Sequence, residues 1–190
     1  MAGVLAELGC HVLDADETSR DVVAPGSEGL KAVVAEFGAG VLQQDGTLDR
    51  AKLGTLVFEN PERRVALNSI LHPFIIARQD QQLREWEAEH QSGIAVVDAA
   101  LMIESGGYQR FDKLIVVHCR PEVQLQRLLA RNNLSSDDAA RRIAAQMSQS
   151  EKMTFADYLI DTSDGFEAAR QRTEEVYRAL TEDSQMADTL

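Results

Sequence analysis

Cys10-His11-Val12-Leu13 is a short apolar run that closes on Asp14-Ala15-Asp16. It reads as a buried strand whose carboxyl end delivers two carboxylates at once. Ahead of it, Val4, Leu5 and Leu8 recur at helical spacing, and Gly9 stands where a helix C-terminal stop belongs. The strand is therefore entered from the end of a helix. No Ser, Thr, Asp or Asn precedes that helix as a cap, and roughly eight residues is short for a helix standing alone. Ile94 to Asp98 and Leu114 to Val117 are near-continuous apolar runs, as parallel strands covered on both faces require, and Tyr158 to Asp161 is a last short strand. Strands alternating with helices predict an α/β fold with a mostly parallel sheet.

Between the first two strands the pattern is helical throughout. Residues 17–24 read as a helix broken by Pro25-Gly26, and 27–38, 49–58 and 61–70 follow, the last capped by Asn60 with Pro61 at its first position. His72-Pro73 interrupts, 74–90 is a longer helix bearing Phe74, Ile75, Leu83 and Trp86, and Ser92-Gly93 ends the stretch. The segment 17–92 has the pattern of an inserted lobe. Beyond it, a helix starts at Pro121 and breaks at Asn132-Asn133. Ser135 with Asp138 resembles a capping box and opens a helix to Met147. Phe166 to Leu180 closes the fold, and the polar, acidic tail from Thr181 is expected to fray.

A chain of 190 residues that is 44% hydrophobic can bury one real core with a small inserted lobe. No run approaches the ~20 apolar residues of a membrane span, and the first residues lack the basic flank and apolar stretch of a secretory signal. Cys10 and Cys119 lie far apart and read as free thiols in a reducing cytosol. His11 and His118 stand beside them, but no C-x-x-C spacing supports a metal site. A net charge of -12 argues against non-specific nucleic-acid binding. Residues 120–152 nevertheless carry Arg120, Arg127, Arg131, Arg141, Arg142 and Lys152 against four acidic side chains. Such an island fits a small polyanion as ligand, and equally an ordinary solvated helix pair.

Several side chains have the chemistry and position for function. Asp14 and Asp16 follow a strand, where ligands bind in open α/β sheets. One of them could take a proton from a substrate hydroxyl, or Asp16 could simply cap the next helix. Asp98 ends the second strand and could hold magnesium through water, or serve only as turn chemistry. Arg127 and Arg131 lie four apart on one helix face, with Arg141 and Arg142 on the next helix. These guanidiniums could clamp phosphates, or belong to solvated faces. His72, a lone histidine before Pro73, reads more readily as structural than as catalytic. No G-x-x-x-x-G-K-[ST] occurs in these residues.

Taken in order, these pieces resemble dephospho-CoA kinase. The resemblance rests on Leu8-Gly9, Val12-Leu13-Asp14-Ala15-Asp16, Ser19-Arg20, Val22-Val23 and Pro25-Gly26. It continues through Phe37-Gly38, Gly46-Thr47-Leu48-Asp49-Arg50, Leu53, Val57-Phe58 and Leu71-His72-Pro73. It closes with Asp98 to Glu104, Gln124, Arg127-Leu128, Arg131, Arg142-Ile143, Gln146, Glu151-Lys152, Ala156-Asp157 and Ile160-Asp161. No single piece is decisive, and the ordered set is specific.

The resemblance implies a P-loop kinase-like three-layer α/β/α core with a helical CoA-binding insertion and a small helical lid. The core would be 1–16, 93–130 and 151–183, the CoA lobe 17–92 and the lid 131–150. It implies an enzyme that phosphorylates the 3′-hydroxyl of dephospho-CoA with ATP and Mg2+, the last step of coenzyme A synthesis, in the cytoplasm. Asp16 would be the base, with Asp14, Arg20 and His72 on the acceptor side. Arg127, Arg131 and Arg142 would face ATP phosphates, Arg142 contributing to catalysis. Partners are expected to be these small molecules, with no nucleic acid or membrane, in a monomer or weak oligomer.

Three departures stand out. Ala99-Ala100-Leu101-Met102 replaces the family's Pro-Leu-Leu, and Thr162 replaces its Asn. Met1 falls just past the expected position of the family's phosphate-binding loop, so a central strand and that loop are expected upstream in the same reading frame. Two other readings are a non-catalytic relative that binds a CoA-like ligand or a partner protein, and a kinase of another small acceptor. The Asp-Ala-Asp and His-Pro pieces weigh against the last.

Overall fold

Short strands separated by helices run the length of the chain in the computed structural model, which describes residues 1–58, 60–89, 93–132 and 135–187. In chain order the elements are α1 (Ala2–Glu7), β1 (His11–Asp14), α2 (Ala15–Asp21), α3 (Glu28–Phe37), α4 (Arg50–Phe58), α5 (Pro61–Glu89) and β2 (Ala95–Asp98). They continue with β3 (Ile115–His118), α6 (Pro121–Asn132), α7 (Ser136–Ala144), α8 (Gln149–Met153), β4 (Tyr158–Asp161) and α9 (Phe166–Ala187). All four strands lie within a residue of the runs read from the sequence. They fall into two two-stranded sheets, β1 with β2 and β3 with β4. The second is parallel, pairing Ile115 with Tyr158 through His118 with Asp161.

The chain divides into two units. One comprises Leu13–Asp98; the other joins Met1–Val12 to Ala99–Leu190. The first has its own core of Val23, Leu30, Val33, Val41, Leu48 and Leu53, lined by Phe37, Val57, Leu67, Ile70 and Leu71. The α3 start is capped by Ser27, whose hydroxyl accepts from the Leu30 amide and donates to the Val22 carbonyl. The second unit packs α9 on β4 and α1 on α9, burying Val4, Leu5, Ile160, Ala169, Val176 and Leu180. Thr173, fully buried there, returns its hydroxyl to the Ala169 carbonyl at 2.7 Å, so no polar atom is stranded.

Several helix boundaries differ from the sequence reading: α2 spans Ala15–Asp21 where the pattern predicts 17–24, and α7 ends at Ala144, short of Met147. The interruption expected at His72-Pro73 does not occur: α5 runs through Pro73. Proline removes one amide from the helical ladder and in an isolated helix costs about 3 kcal/mol. Here the position is exposed, so water can satisfy the freed carbonyl. The flanking Leu67, Ile70 and Leu71 are packed on the unit's core, and α2, α3 and α4 all pack on α5. Partial burial of several apolar side chains, each contributing part of the roughly 1.5–3 kcal/mol of full burial, together offsets the local cost. At the chain's end, α9 continues to Ala187 instead of fraying at Thr181, and the Thr181 hydroxyl bonds back to the Tyr177 carbonyl. The Ser92 stop and Asn133 of the expected Asn132-Asn133 break lie outside the described residues.

Gly29 marks the tightest approach in the Leu13–Asp98 unit. A Cβ at this position would stand 2.2 Å from the Val22 carbonyl oxygen, with the Phe74 ring also in contact. Gly54, in the middle of α4, has nothing within 4 Å of the same atom. Gly29→Ala is therefore expected to lower stability by about 1–3 kcal/mol, because the clash is with backbone and exceeds the gain in helix propensity. Gly54→Ala is expected to raise stability by up to about 1 kcal/mol. Denaturant midpoints of the two variants check the opposition in sign.

Candidate active site

The turn from β1 into α2 is built by one carboxylate. Asp14 adopts an extended backbone as the helix cap, and its Oδ1 accepts from the amides of Asp16 at 2.7 Å and Glu17 at 3.2 Å. The buried Thr18 hydroxyl closes the same turn on the Asp14 carbonyl at 2.9 Å. The capping role that could have fallen to Asp16 is thus held by Asp14. The Asp16 carboxylate, in the first turn of α2, is exposed and takes no hydrogen bond or ion pair among the described residues. An acidic group at that position also complements the positive end of the helix.

Arg20 lies one turn on, at i+4 from Asp16, so the two share a face of α2. No ion pair joins them, and the Arg20 guanidinium is exposed with no partner among the described residues. Its carbonyl accepts a long bond from Arg50 at 3.5 Å. His72 is exposed on α5, and α2 packs directly on α5. Asp98 ends β2, the strand paired with the one that Asp14 ends, and is exposed as well. The Leu13–Asp98 unit thus carries Asp14, Asp16, Asp98, Arg20 and His72, all exposed, on elements that pack or pair with one another.

In the other unit the arginines divide by engagement. Arg127 on α6 donates from Nη1 to the Thr162 hydroxyl at 2.7 Å and from Nη2 to the Thr162 carbonyl at 2.5 Å. Thr162, buried, passes the bond on to the His118 carbonyl. Two of the five guanidinium N–H donors are taken up in this way. Arg141 pairs with Asp138 one turn earlier. Arg142, in the last turn of α7, is exposed and has neither hydrogen bond nor ion pair among the described residues. The Arg131 side chain lies outside the described residues.

Two clusters went unread in the sequence. The loop after β4 is braced by Arg172, which donates to the Asp161 carbonyl at 2.7 Å and to Asp164 at 2.9 Å, while Arg120 holds the other oxygen of Asp164 at 2.9 Å. Asp161 in turn accepts from the amide and hydroxyl of Ser163. The second cluster is a half-buried ion pair, Lys152 to Glu104 at 2.8 Å. Both clusters join residues remote in sequence, which no spacing rule detects. A legible signal was missed as well: Ser148 and Glu151 form a complete capping box that opens α8.

Comparison with known proteins gives the family and the fold. The family model described as dephospho-CoA kinase matches residues 1–167. The chain is 41% identical over 174 residues to the dephospho-CoA kinase of Geobacillus kaustophilus, covering 90% of this chain and 85% of that one. A crystal structure from Thermus thermophilus superposes with a TM-score of 0.78 at 26% identity, covering 94% of this chain and 88% of its own. The dephospho-CoA kinase from Campylobacter jejuni superposes at 0.70, also at 26% identity, covering 95% and 90%. The fold is the P-loop kinase-like α/β fold.

Carboxylates with acidity shifted by their bonds concentrate in the Met1–Val12 and Ala99–Leu190 unit. Bonds from Ser163 lower Asp161, the Arg172 bond and then that of Arg120 lower Asp164, and the Tyr158 and Lys113 bonds lower Asp183. At Glu104 burial pushes upward, but the Lys152 bond, the backbone amides and the Lys152 charge together leave it below its usual range. In the Leu13–Asp98 unit only Asp45 shows such a shift among the described residues. A depressed folded-state pKa gives stability that is present above the unfolded value and lost as pH falls through the folded one. Acidification below about pH 4 should therefore remove amide-exchange protection from 158–180 before 28–57, as hydrogen exchange at stepped pH would register.

Proposed function

This chain belongs to the dephospho-CoA kinase family, and we propose that it transfers the γ-phosphoryl group of ATP to the 3′-hydroxyl of the dephospho-CoA ribose. One observation carries the assignment of the base: Asp14, which ends the strand, has taken over the helix cap, leaving the Asp16 carboxylate in the first turn of α2 exposed and without a partner among the described residues. A carboxylate in that situation is available to accept the hydroxyl proton as the oxygen attacks phosphorus and ADP leaves. Arg20 and His72 bind the acceptor, supported by their exposure and by the packing of α2 on α5. Asp14 orients Asp16 through the shared turn and offers its second carboxylate oxygen to the substrate.

On the donor side Arg142, whose guanidinium has no partner among the described residues, stabilises charge on the transferring group. Arg127 and Arg131 line the ATP phosphates, Arg127 using the donors that Thr162 leaves open. Asp98 would hold Mg2+ through water, and the ion's role is to neutralise phosphate charge. Among the described residues no three His, Cys, Asp or Glu side chains gather into a metal site. That suits magnesium, which is commonly held by one or two carboxylates together with substrate phosphates and water. The helical stretch 17–92 serves as the CoA lobe and 131–150 as the lid. Among the described residues no helix is long and apolar enough to cross a membrane, and Cys10 and Cys119 are free. The protein works in the cytoplasm on small molecules.

The assay is conversion of dephospho-CoA to CoA with ATP, using protein expressed from the complete gene. Asp16→Asn is expected to lower kcat by about 10²-fold or more, with ATP affinity little changed. Turnover near that of the wild type would remove Asp16 from the role of base. Arg142→Ala is expected to lower kcat by about 10²-fold, and unchanged kinetics would make Arg142 a surface residue.

A further inference from the structure

The half-buried ion pair of Glu104 and Lys152 has no part in the site as described. Its side chains retain only 23% and 16% of their exposure, low for two such long charged groups. Lys152 Nζ donates to Glu104 at 2.8 Å and to the Ala100 carbonyl at 3.0 Å. Glu104 Oε1 also accepts from the Met147 amide at 3.2 Å. Four points of the chain therefore meet at one pair: the segment leaving β2 at Ala100, its turn at Glu104, the α7–α8 junction at Met147, and α8 at Lys152.

The position of Met147 gives the pair its leverage. α7 ends at Ala144, and the Ala145 and Gln146 amides bond back to Arg141 and Ile143. The next residue is the one that Glu104 holds. Immediately after it, the Ser148–Glu151 capping box starts α8. Gln149 fastens that helix to the Cys119 amide at 2.8 Å and to Gln124 at 2.7 Å. The α7–α8 junction is thus tied on one side to the β3–α6 junction through Gln149 and on the other to the β2 exit through Glu104. Arg142 sits in the turn of α7 that adjoins this junction.

We propose that Glu104 and Lys152 are positioning residues, which fix the pivot of α7 and through it the reach of Arg142 toward the transferring phosphoryl group. The proposal rests on the kinase reading above. Loss of the pair would leave α7 formed, since its own cap is Ser135, but with its C-terminal end untethered. Misplacement of a catalytic group by about 1 Å can cost on the order of 10²-fold in rate.

The test compares Glu104→Gln, Lys152→Met and Lys152→Arg. Expected are a fall in kcat of about 10- to 100-fold in the first two, KM for dephospho-CoA within about twofold, and recovery of most of kcat in Lys152→Arg. Faster amide exchange over 136–147 should accompany the loss. Unchanged kcat, or an activity loss matched by the loss of folded protein, would overturn the proposal. If Lys152→Met does not fold, Glu104→Gln carries the test, since it keeps the shape of the side chain but removes the charge that pairs with Lys152 and holds Glu104 against the α7–α8 junction. If the wild type fails to phosphorylate dephospho-CoA, the kinase reading fails and exchange alone decides the pair. Faster exchange over 136–147 then supports the tether, and unchanged exchange overturns it.

Discussion

The bond from the Asp14 carboxylate to the amides of Asp16 and Glu17 is the constraint on which the candidate chemistry depends. Those amides are orphan donors at the start of α2, and a helix start without a partner for them is costly. Because Asp14 supplies the acceptor, the chain can turn from extended strand to helix within one residue. Asp16 then falls in the first turn with its carboxylate unclaimed. Had Asp16 been the cap, its oxygens would be bonded to backbone. The pair Asp-x-Asp thus separates two tasks, one carboxylate making the structure and the other left to act.

The same division holds among the arginines. In a chain of net charge -12, an anionic ligand must be drawn to local cations. Arg141 is neutralised by Asp138, Arg120 and Arg172 share Asp164, and Arg170 bridges Glu7 and Glu174. Exposed pairs of this kind contribute little to stability, but they remove those guanidiniums from the set open to phosphate. Arg20 and Arg142 keep all their donors free of the described residues, and Arg127 keeps part of its own. Which arginines stay open to a ligand among the described residues is therefore decided less by where the basic residues cluster in sequence than by which of them already have an acidic neighbour.

How much of this was legible from the sequence follows the range of each interaction. The strands, the Ser135 cap and the exposed aspartates at strand ends could be read because apolar runs and capping chemistry act within a few residues. The continuation of α5 through Pro73 could not. The penalty of proline is local, whereas the burial of Leu67, Ile70 and Leu71 that overrides it depends on α3 and α4 arriving from elsewhere. Asp16 was named as the candidate base, but whether it or Asp14 caps α2 turns on one rotamer choice that no spacing reveals. The capping box of Ser148 and Glu151 was in plain view and passed over because the helix it opens has only five residues, too few to show a period.

Thr162 shows why a departure from a family pattern has to be judged by its contacts. Its hydroxyl donates to the His118 carbonyl and accepts from Arg127, while its carbonyl takes the second nitrogen of the same guanidinium. A buried hydroxyl satisfied in both senses carries no desolvation debt. It also fixes α6 to the end of β4, beside the loop that Arg120, Asp164 and Arg172 brace. The cost of the change is borne by Arg127, two of whose donors are committed. Any anion that met Arg127 would have to use the remaining edge of the guanidinium, whereas among the described residues Arg142 has no donor committed.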